Sequence, residues 1–414
     1  MDNLIEINFE HTPDAAAHFS DKSPEKIVSR LELRYGQAIV PGKTLLFLDE
    51  IQAAPEVFAC LRYFYEQMPD LHVVAAGSLL EFVLKKHEFS MPVGRIEYMY
   101  LSPMSYEEFL VASGRERLVA FLKEYQVGDE LIEHVHEQLM KVLREYMVVG
   151  GMPEAVQAFV DSPSFLECEK VKQSVLSTYQ DDFSKYGSRV NVSRIQQMFN
   201  KIPHLVGGKF KYSHVDREAQ ARDIRRVLDL LCLALIGYRV YHSSSNGVPL
   251  AAEMDERKFK ILFLDVGLMC RSCGLSLLEF ENAGDVMLVN AGAVCEQFIG
   301  QHLLYSKELF EEPEVYYWNR EKRQSSAEVD YILSIGSKIV PVEVKAGKTG
   351  CLKSLHTFLK EKHCSFGLRF NADLPSLLDT SAVLPGGEVL EYRVLSLPLY
   401  MVGQARRLCS ASLL

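Results

Sequence analysis

The 414-residue sequence has no long apolar run and no two Cys or Cys/His pairs with zinc-site spacing, and it predicts no secretory leader. No stretch approaches the ~20 apolar residues of a membrane-spanning helix, which predicts a protein without membrane contact. Its first residues lack the basic and then apolar build of a signal peptide. Nine scattered cysteines are typical of reduced thiols and indicate a cytoplasmic protein. Cys270 and Cys273 form a CxxC pair, but no second Cys or His pair has zinc-site spacing, which favours ordinary core or surface thiols.

Basic charge is scarce and uneven. The net charge is −10. Residues 1–190 contain 18 Lys and Arg against 30 Asp and Glu, whereas residues 191–264 contain 12 against 7. Residues 286–414 are balanced, with 14 of each sign. If the protein binds nucleic acid, this distribution favours the middle of the chain.

The N-terminal part is organised around Leu45-Leu46-Phe47-Leu48-Asp49-Glu50-Ile51-Gln52. The apolar run predicts a strand of a parallel α/β sheet buried on both faces, with the two acids at its carboxyl end, where ligands bind. In a nucleoside-triphosphate hydrolase, Asp49 would hold Mg²⁺ and Glu50 would orient or deprotonate a water. The alternative is a strand that simply ends in a polar turn.

A helix over residues 56–68 and a second strand, His72 to Ser78, follow this stretch. With the segment from Gly94-Arg95 to Phe109, this order resembles the Walker B and sensor-1 region of a prokaryotic AAA+-like ATPase family. That family carries a C-terminal domain of formerly unknown function. The resemblance implies an ATPase core at residues 1–112, a helical lid at residues 113–190, and ATP with Mg²⁺ as cofactors. Within the core it suggests that Ser78 contacts the γ-phosphate and that Arg95 neutralises transition-state charge. A turn residue and a surface or ion-paired arginine are the plainer alternatives.

The glycine-rich phosphate loop of that family is missing. Gly42-Lys43-Thr44 and Gly347-Lys348-Thr349 match only the last three letters of GxxxxGK[ST]. The first of them leads into a strand, whereas a phosphate loop leads into a helix. We therefore expect weak ATP binding or none. A lost loop and a start site assigned too far downstream would produce the same sequence.

Residues 191–285 are interpreted as a winged-helix domain. Helices at residues 193–201 and 216–236 are followed by strands at residues 237–242 and 258–264, which would form the wing. The second helix carries Arg222, Arg225 and Arg226 opposite its apolar face, a pattern that fits DNA binding. Alternatively, the module serves only for packing, and Asp223 and Asp229 pair with these arginines.

A second chemical pattern lies in residues 286–414. Asp330 ends Glu328-Val329-Asp330, and a turn at Gly336 leads into a strand carrying Glu343 and Lys345 on one face. Glu296 is predicted on a preceding helix. The acids could hold Mg²⁺, and Lys345 could orient a water. The pattern resembles the PD-(D/E)XK nuclease fold; an inactive relic with internally paired charges is the alternative.

The sequence thus predicts a multi-domain α/β protein with a P-loop-type parallel sheet, a helical lid, a winged helix and a restriction-endonuclease-like α/β domain. The resemblance implies an ATPase that acts on DNA or on a protein partner, with Mg-dependent endonuclease activity as a second expectation. The competing hypothesis is an inactive regulatory or scaffold protein that binds DNA, a protein partner or a second copy of itself.

Overall fold

The chain divides into two compact units, Met1–Met99 and Tyr100–Leu414. The computed structural model describes residues 2–77, 94–162, 164–183, 190–275, 291–322, 325–348, 350–384 and 387–413. Within these ranges, no helix combines the length and the apolarity that crossing a bilayer requires. The first unit ends before residues 100–112, which the sequence had placed with the ATPase-like core. Those residues form part of the second unit.

The first unit is a three-stranded parallel sheet flanked by helices. Its elements are β1 (Asn3–Asn8), α1 (Pro24–Tyr35), β2 (Thr44–Asp49), α2 (Pro55–Gln67) and β3 (His72–Ala75). The strands lie in the order β1-β2-β3, which confirms the predicted neighbours β2 and β3. Residues of β2 alternate between buried and half-buried positions, so the expectation of complete burial on both faces was wrong.

Helix α1 illustrates how local sequence sets the ends of an element. Pro24 occupies its first turn, where a missing N–H costs nothing. Gly36 ends it in the left-handed region at φ +64°, which glycine adopts without the steric cost of a Cβ. Between these ends, Ile27 and Leu31 lie one turn apart and are fully buried in the core of the unit.

The second unit begins with helices, of which the first lies before the segment predicted as a helical lid (residues 113–190) and the other four lie within it. They are α3 (Tyr106–Ala112), α4 (Glu116–Glu124), α5 (Glu133–Val149), α6 (Pro153–Asp161) and α7 (Phe165–Asp182). The Gly150-Gly151 pair separates α5 from α6. A Cβ on Gly151 would lie 2.2 Å from the Met104 carbonyl oxygen, so that close approach requires a glycine.

The region predicted as a winged helix contains the expected two helices and two strands, but the strands belong to a larger sheet. These elements are α8 (Val192–Leu205), α9 (Ala221–Leu233), β4 (Gly237–Ser243) and β5 (Met254–Phe263). Helix α9 begins later than predicted because Asp216 Oδ1 accepts the backbone N–H groups of Glu218 and Ala219, a local bond that competes with helix formation. The winged-helix assignment itself stays a prediction.

The remaining described elements are four α-helices and the six strands that complete one large sheet. They are α10 (Val266–Ser272), α11 (Ala291–Tyr305), β6 (Tyr316–Lys322), β7 (Ser325–Ile335), β8 (Lys338–Val344), α12 (Lys353–Lys362), β9 (Phe366–Asn371), β10 (Ser376–Val383), β11 (Val389–Pro398) and α13 (Ala405–Leu413). Eight strands lie in the order β10-β11-β9-β8-β7-β6-β4-β5.

Pairing between β4 and β6 joins two regions that the sequence had separated. Tyr241 and His242 of β4 lie in parallel register with Tyr316 and Tyr317 of β6. The two strands proposed as a free wing therefore form one edge of the eight-stranded sheet. This arrangement brings β5, from the middle of the chain, close to the acidic residues of the C-terminal part.

Candidate functional site

The first candidate site lies at the carboxyl end of β2. Asp49 is half-buried there, and its Oδ2 accepts a 2.8 Å hydrogen bond from Asn8 Nδ2 at the corresponding end of β1. The parallel register pairs Asn8 with Asp49, which explains why these side chains meet. The carboxylate thus occupies the predicted edge of the sheet.

Of the other residues predicted for this site, the structure describes Glu50 and Arg95. Glu50 adopts left-handed geometry at φ +51°, and its Oε2 accepts a hydrogen bond from Gln52. Arg95 Nε lies 3.2 Å from Glu66 Oε1 on α2, so the ion-paired alternative describes this arginine. Ser78 lies outside the described residues. The proximity of Asp49 and Ser78 stays a prediction.

The second candidate site is built on the hairpin of β7 and β8. Tyr331 pairs with Val342 across the hairpin, which places Asp330 and Glu343 at the next step of the ladder. Asp330 Oδ2 accepts a 2.8 Å hydrogen bond from the Val344 backbone N–H. Lys345 follows β8, and its backbone N–H donates to the Phe370 carbonyl at 2.8 Å. The structure therefore brings the three predicted residues together.

Glu343 is the least satisfied of these groups. It is 5% exposed, and its Oε1 forms an ion pair with the Lys345 ammonium group. Its Oε2 is buried without a hydrogen-bond partner among the described residues. Burial raises the pKa of Glu343 to about 7, and the nearby charge of Asp330 acts in the same direction. A cation with free coordination positions would satisfy this oxygen.

Gly350 lies against the stem of the Lys345 side chain. A Cβ on this glycine would lie 2.6 Å from Lys345 Cδ, so only glycine permits such a close approach. The stem of Lys345 is therefore packed, while its ammonium group reaches Glu343. The side chain is 25% exposed, which leaves the site accessible to solvent on the lysine side.

Lys260 of β5 is the residue that the sequence reasoning missed. Its ammonium group lies 2.7 Å from Glu328 Oε1, 3.2 Å from Glu296 Oε2 and 3.7 Å from Asp330 Oδ1. The side chain is only 3% exposed. Burial alone would lower the pKa of Lys260, but the surrounding carboxylates raise it well above its ordinary value, so the ammonium stays charged. A charged residue within the apolar run of β5 was the available signal.

Glu296 reaches the site from α11, as predicted, but it is engaged by Lys260. Burial raises its pKa to about 7, against the opposing effect of the lysine. Burial also raises the pKa of Asp330, which Lys260 and the Val344 N–H bond oppose. The cluster is therefore a set of buried and half-buried acids around an internal cation, with one further ammonium group at its open side.

A metal ion fits this cluster only if two carboxylates bind it and water or substrate oxygens supply its other ligands. Among the described residues, no three His, Cys, Asp or Glu side chains are grouped so that they could hold a metal ion. Mg²⁺ is usually bound by one or two carboxylates, with waters and substrate oxygens completing its shell. Asp330 and Glu343, with the unpartnered Oε2, fit that requirement. A site made of protein ligands alone does not fit.

The arginine face of α9 is exposed. Arg222, Arg225 and Arg226 are exposed, and the structure assigns them no ion pair among the described residues. The two acids that could have neutralised them bind elsewhere. Asp223 pairs with Arg194 at 2.9 Å, and Asp229 pairs with Arg239. The alternative in which these acids pair with the arginines of α9 was wrong.

Three family matches divide the chain. An AAA domain matches residues 1–110, a domain of unknown function (DUF8612) matches residues 140–279, and another domain of unknown function (DUF4143) matches residues 291–383. No curated protein and no solved structure matches the chain. The first and last matches support an AAA-like ATPase family, and the first indicates an ATPase-type protein.

Proposed function

We propose that this ATPase-type protein binds DNA through its second unit and hydrolyses phosphodiester bonds at Asp330, Glu343 and Lys345. The observation that carries this proposal is the buried, unpartnered Oε2 of Glu343 beside Asp330 and Lys345. A buried polar atom without a partner is costly in a folded protein, and a cation bound between Glu343 and Asp330 would remove that cost. The resemblance of this hairpin to the PD-(D/E)XK fold supports the same chemistry.

Asp330 and Glu343 would hold one Mg²⁺. When bound, this ion supplies charge stabilisation to a phosphate and acidifies a water molecule. The backbone N–H of Val344 fixes the orientation of the Asp330 carboxylate. Lys345 orients the water that adds to phosphorus as the bond to the leaving sugar oxygen breaks. The proton that the water loses passes to solvent on the exposed side of the lysine, and a solvent water supplies a proton to the leaving sugar oxygen.

The exposed arginines of α9 support DNA as the substrate. Three guanidinium groups that have no acidic partner in the described part of the chain form a surface suited to phosphate oxygens. Lys209, which precedes α9 in the chain, adds a positive charge at the site, because it lies 3.8 Å from Glu328 and its backbone bridges to Lys260. The net positive charge of residues 191–264 points in the same direction.

A second candidate function is that of a binding scaffold without nuclease activity. The ion pairs of Lys260 and of Lys345 favour it, because they neutralise much of the acidic cluster without any ligand. Under this hypothesis the hairpin is inherited architecture, and the arginine face of α9 alone contacts DNA.

Cleavage of supercoiled, linear and branched DNA with Mg²⁺ or Mn²⁺ distinguishes the two functions. We expect Asp330→Asn, Glu343→Gln and Lys345→Ala each to lower the rate by roughly 100-fold or more, without additivity when combined. Asp379→Asn is the matched control, because this exposed acid pairs with Arg393 on β11. Metal-independent cleavage, or equal rates in the wild type and the three variants, would establish the scaffold instead.

A further inference from the structure

The acidic cluster has two halves that share Asp330. In one half, Asp330 Oδ1, Glu296 and Glu328 surround the Lys260 ammonium group at 2.7 to 3.7 Å. The other half contains Glu343 with its unpartnered Oε2, and Lys345. The first half therefore already holds a cation that is covalently part of the chain, whereas the second half contains an oxygen to which no described residue donates a hydrogen bond.

We propose that Lys260 is the built-in cation of the first half and that it limits the site to a single divalent metal ion, held on the Glu343 side. This inference rests on the metal site of the proposed function and adds its stoichiometry. It also gives Glu296 a role, because Glu296 binds the ammonium group and does not bind the metal. Lys260 is thus a positioning residue.

The cost of displacing the lysine supports this assignment. The Lys260 side chain is 3% exposed. Its backbone is fixed within β5 by pairing with Val240 of β4. A metal entering this half would leave an ammonium group buried without acidic partners, which is strongly unfavourable. Two cations between the same three carboxylates would also repel each other at short range.

The same geometry predicts what happens without the lysine. Glu296 and Asp330 present carboxylate oxygens, the donors that Mg²⁺, Mn²⁺ and Ca²⁺ prefer, and waters would complete the shell of an ion bound to them. Removal of the ammonium group would deprive Glu296 and Asp330 of this ion pair in a largely desolvated position, whereas Glu328 would keep Lys209 at 3.8 Å. A second divalent ion would then be the natural replacement for the lost charge.

Titration with Mn²⁺, with the free ion followed by electron paramagnetic resonance, measures the stoichiometry directly. We expect one bound ion per wild-type chain and one more in Lys260→Met. Lys260→Arg, which keeps the positive charge, should bind one. A merely structural role for Lys260 would not raise the number of bound ions. Equal numbers in the wild type and Lys260→Met, or two ions in the wild type, would overturn the inference.

A double variant guards against loss of folding. Lys260→Met/Glu328→Gln removes one positive and one negative charge, and Glu328 is the most exposed of the three acids, so the substitution costs little there. It should fold without metal, and it should still bind one ion more than Glu328→Gln alone. No gain over Glu328→Gln would overturn the inference.

Glu343→Gln separates this inference from the proposed function. This substitution should remove the wild-type ion, whereas Lys260→Met/Glu343→Gln should retain the ion of the Lys260 half. A wild type that binds no Mn²⁺ would contradict the metal site of the proposed function. The difference of one ion between Lys260→Met and the wild type would still decide the role of Lys260.

Discussion

Single buried side chains of this protein depend on partners far away in sequence, and His302 is the clearest example. It is 4% exposed. Its Nε2 accepts a 2.8 Å hydrogen bond from the Tyr106 backbone N–H, and its Nδ1 donates to the Phe298 carbonyl at 2.8 Å. Burial lowers the pKa of His302 to about 4, so the ring is neutral at pH 7. Protonation would place a charge in the core and remove the acceptor for Tyr106.

This histidine predicts a loss of stability in acid. Because its folded pKa of about 4 lies below its ordinary value of 6.5, the stability it supports is present above pH 6.5 and is lost as the pH falls toward 4. Between pH 7 and pH 4, we expect the wild type to lose about 3 kcal/mol more unfolding free energy than His302→Gln.

Urea unfolding measures this difference, with fluorescence of the single tryptophan, Trp318, as the probe of the second unit. His11→Gln is the control, because His11 is exposed and lies in the first unit. The unfolding free energy of His11→Gln should change with pH in the same way as that of the wild type. Parallel pH curves for the wild type and His302→Gln would show that His302 does not titrate as argued.

At the scale of single elements, α9 has one buried apolar face and one exposed basic face. Ile224, Val227, Leu228 and Leu231 are buried on one face, whereas three arginines are exposed on the other. The periodicity of 3.6 residues creates both faces in the same helix. Because Asp223 and Asp229 bind other arginines, the exposed face keeps its full positive charge for a ligand.

We predict that this face contributes directly to DNA affinity. Gln substitutions at Arg222, Arg225 and Arg226 together should weaken binding for all sequences alike, because phosphate contacts are independent of sequence. The slope of log affinity against log salt should decrease by about 1 for each arginine that contacts a phosphate.

Fluorescence anisotropy at several salt concentrations provides the measurement. Arg62→Gln is the matched control, because Arg62 is an exposed helical arginine that pairs with Glu66 in the first unit. This control should bind DNA like the wild type. An unchanged salt slope in the triple variant would exclude α9 from the interface.

At the scale of the whole molecule, the two compact units carry different chemistry. The first contains the acids of an ATPase-type sheet but no GxxxxGK[ST] loop in this sequence. The second contains both the arginine face and the buried acidic cluster within one eight-stranded sheet system. DNA binding and hydrolysis are therefore proposed for the second unit alone.

We predict that the 414-residue chain binds Mg·ATP weakly or not at all. Acids of the Walker B type act on a Mg²⁺ ion that arrives with phosphates, and those phosphates need a backbone cradle and a lysine. Isothermal titration calorimetry should show no micromolar binding, and Asp49→Asn should give the same result. Micromolar affinity in the wild type that is lost in Asp49→Asn would contradict our interpretation of the first unit.

The sequence by itself predicted the elements and the faces of single elements. The alternation in β7 and β8 placed Glu343 and Lys345 on one face near Asp330, and the helical period of α9 separated its arginines from its apolar side. The neighbours β2 and β3 were also predicted correctly. These features follow from local patterns, because side-chain direction repeats every two residues in a strand and every 3.6 in a helix.

Only the tertiary structure decided which charges meet. Lys260 faces Glu296, Glu328 and Asp330 because β4 pairs with β6, a contact between segments some 75 positions apart that no local period encodes. The ion pair of Arg95 with Glu66, and those of Asp223 and Asp229 with other arginines, were decided in the same way. Electrostatic partners depend on distance in space and on burial, and both are set when distant strands and helices pack together.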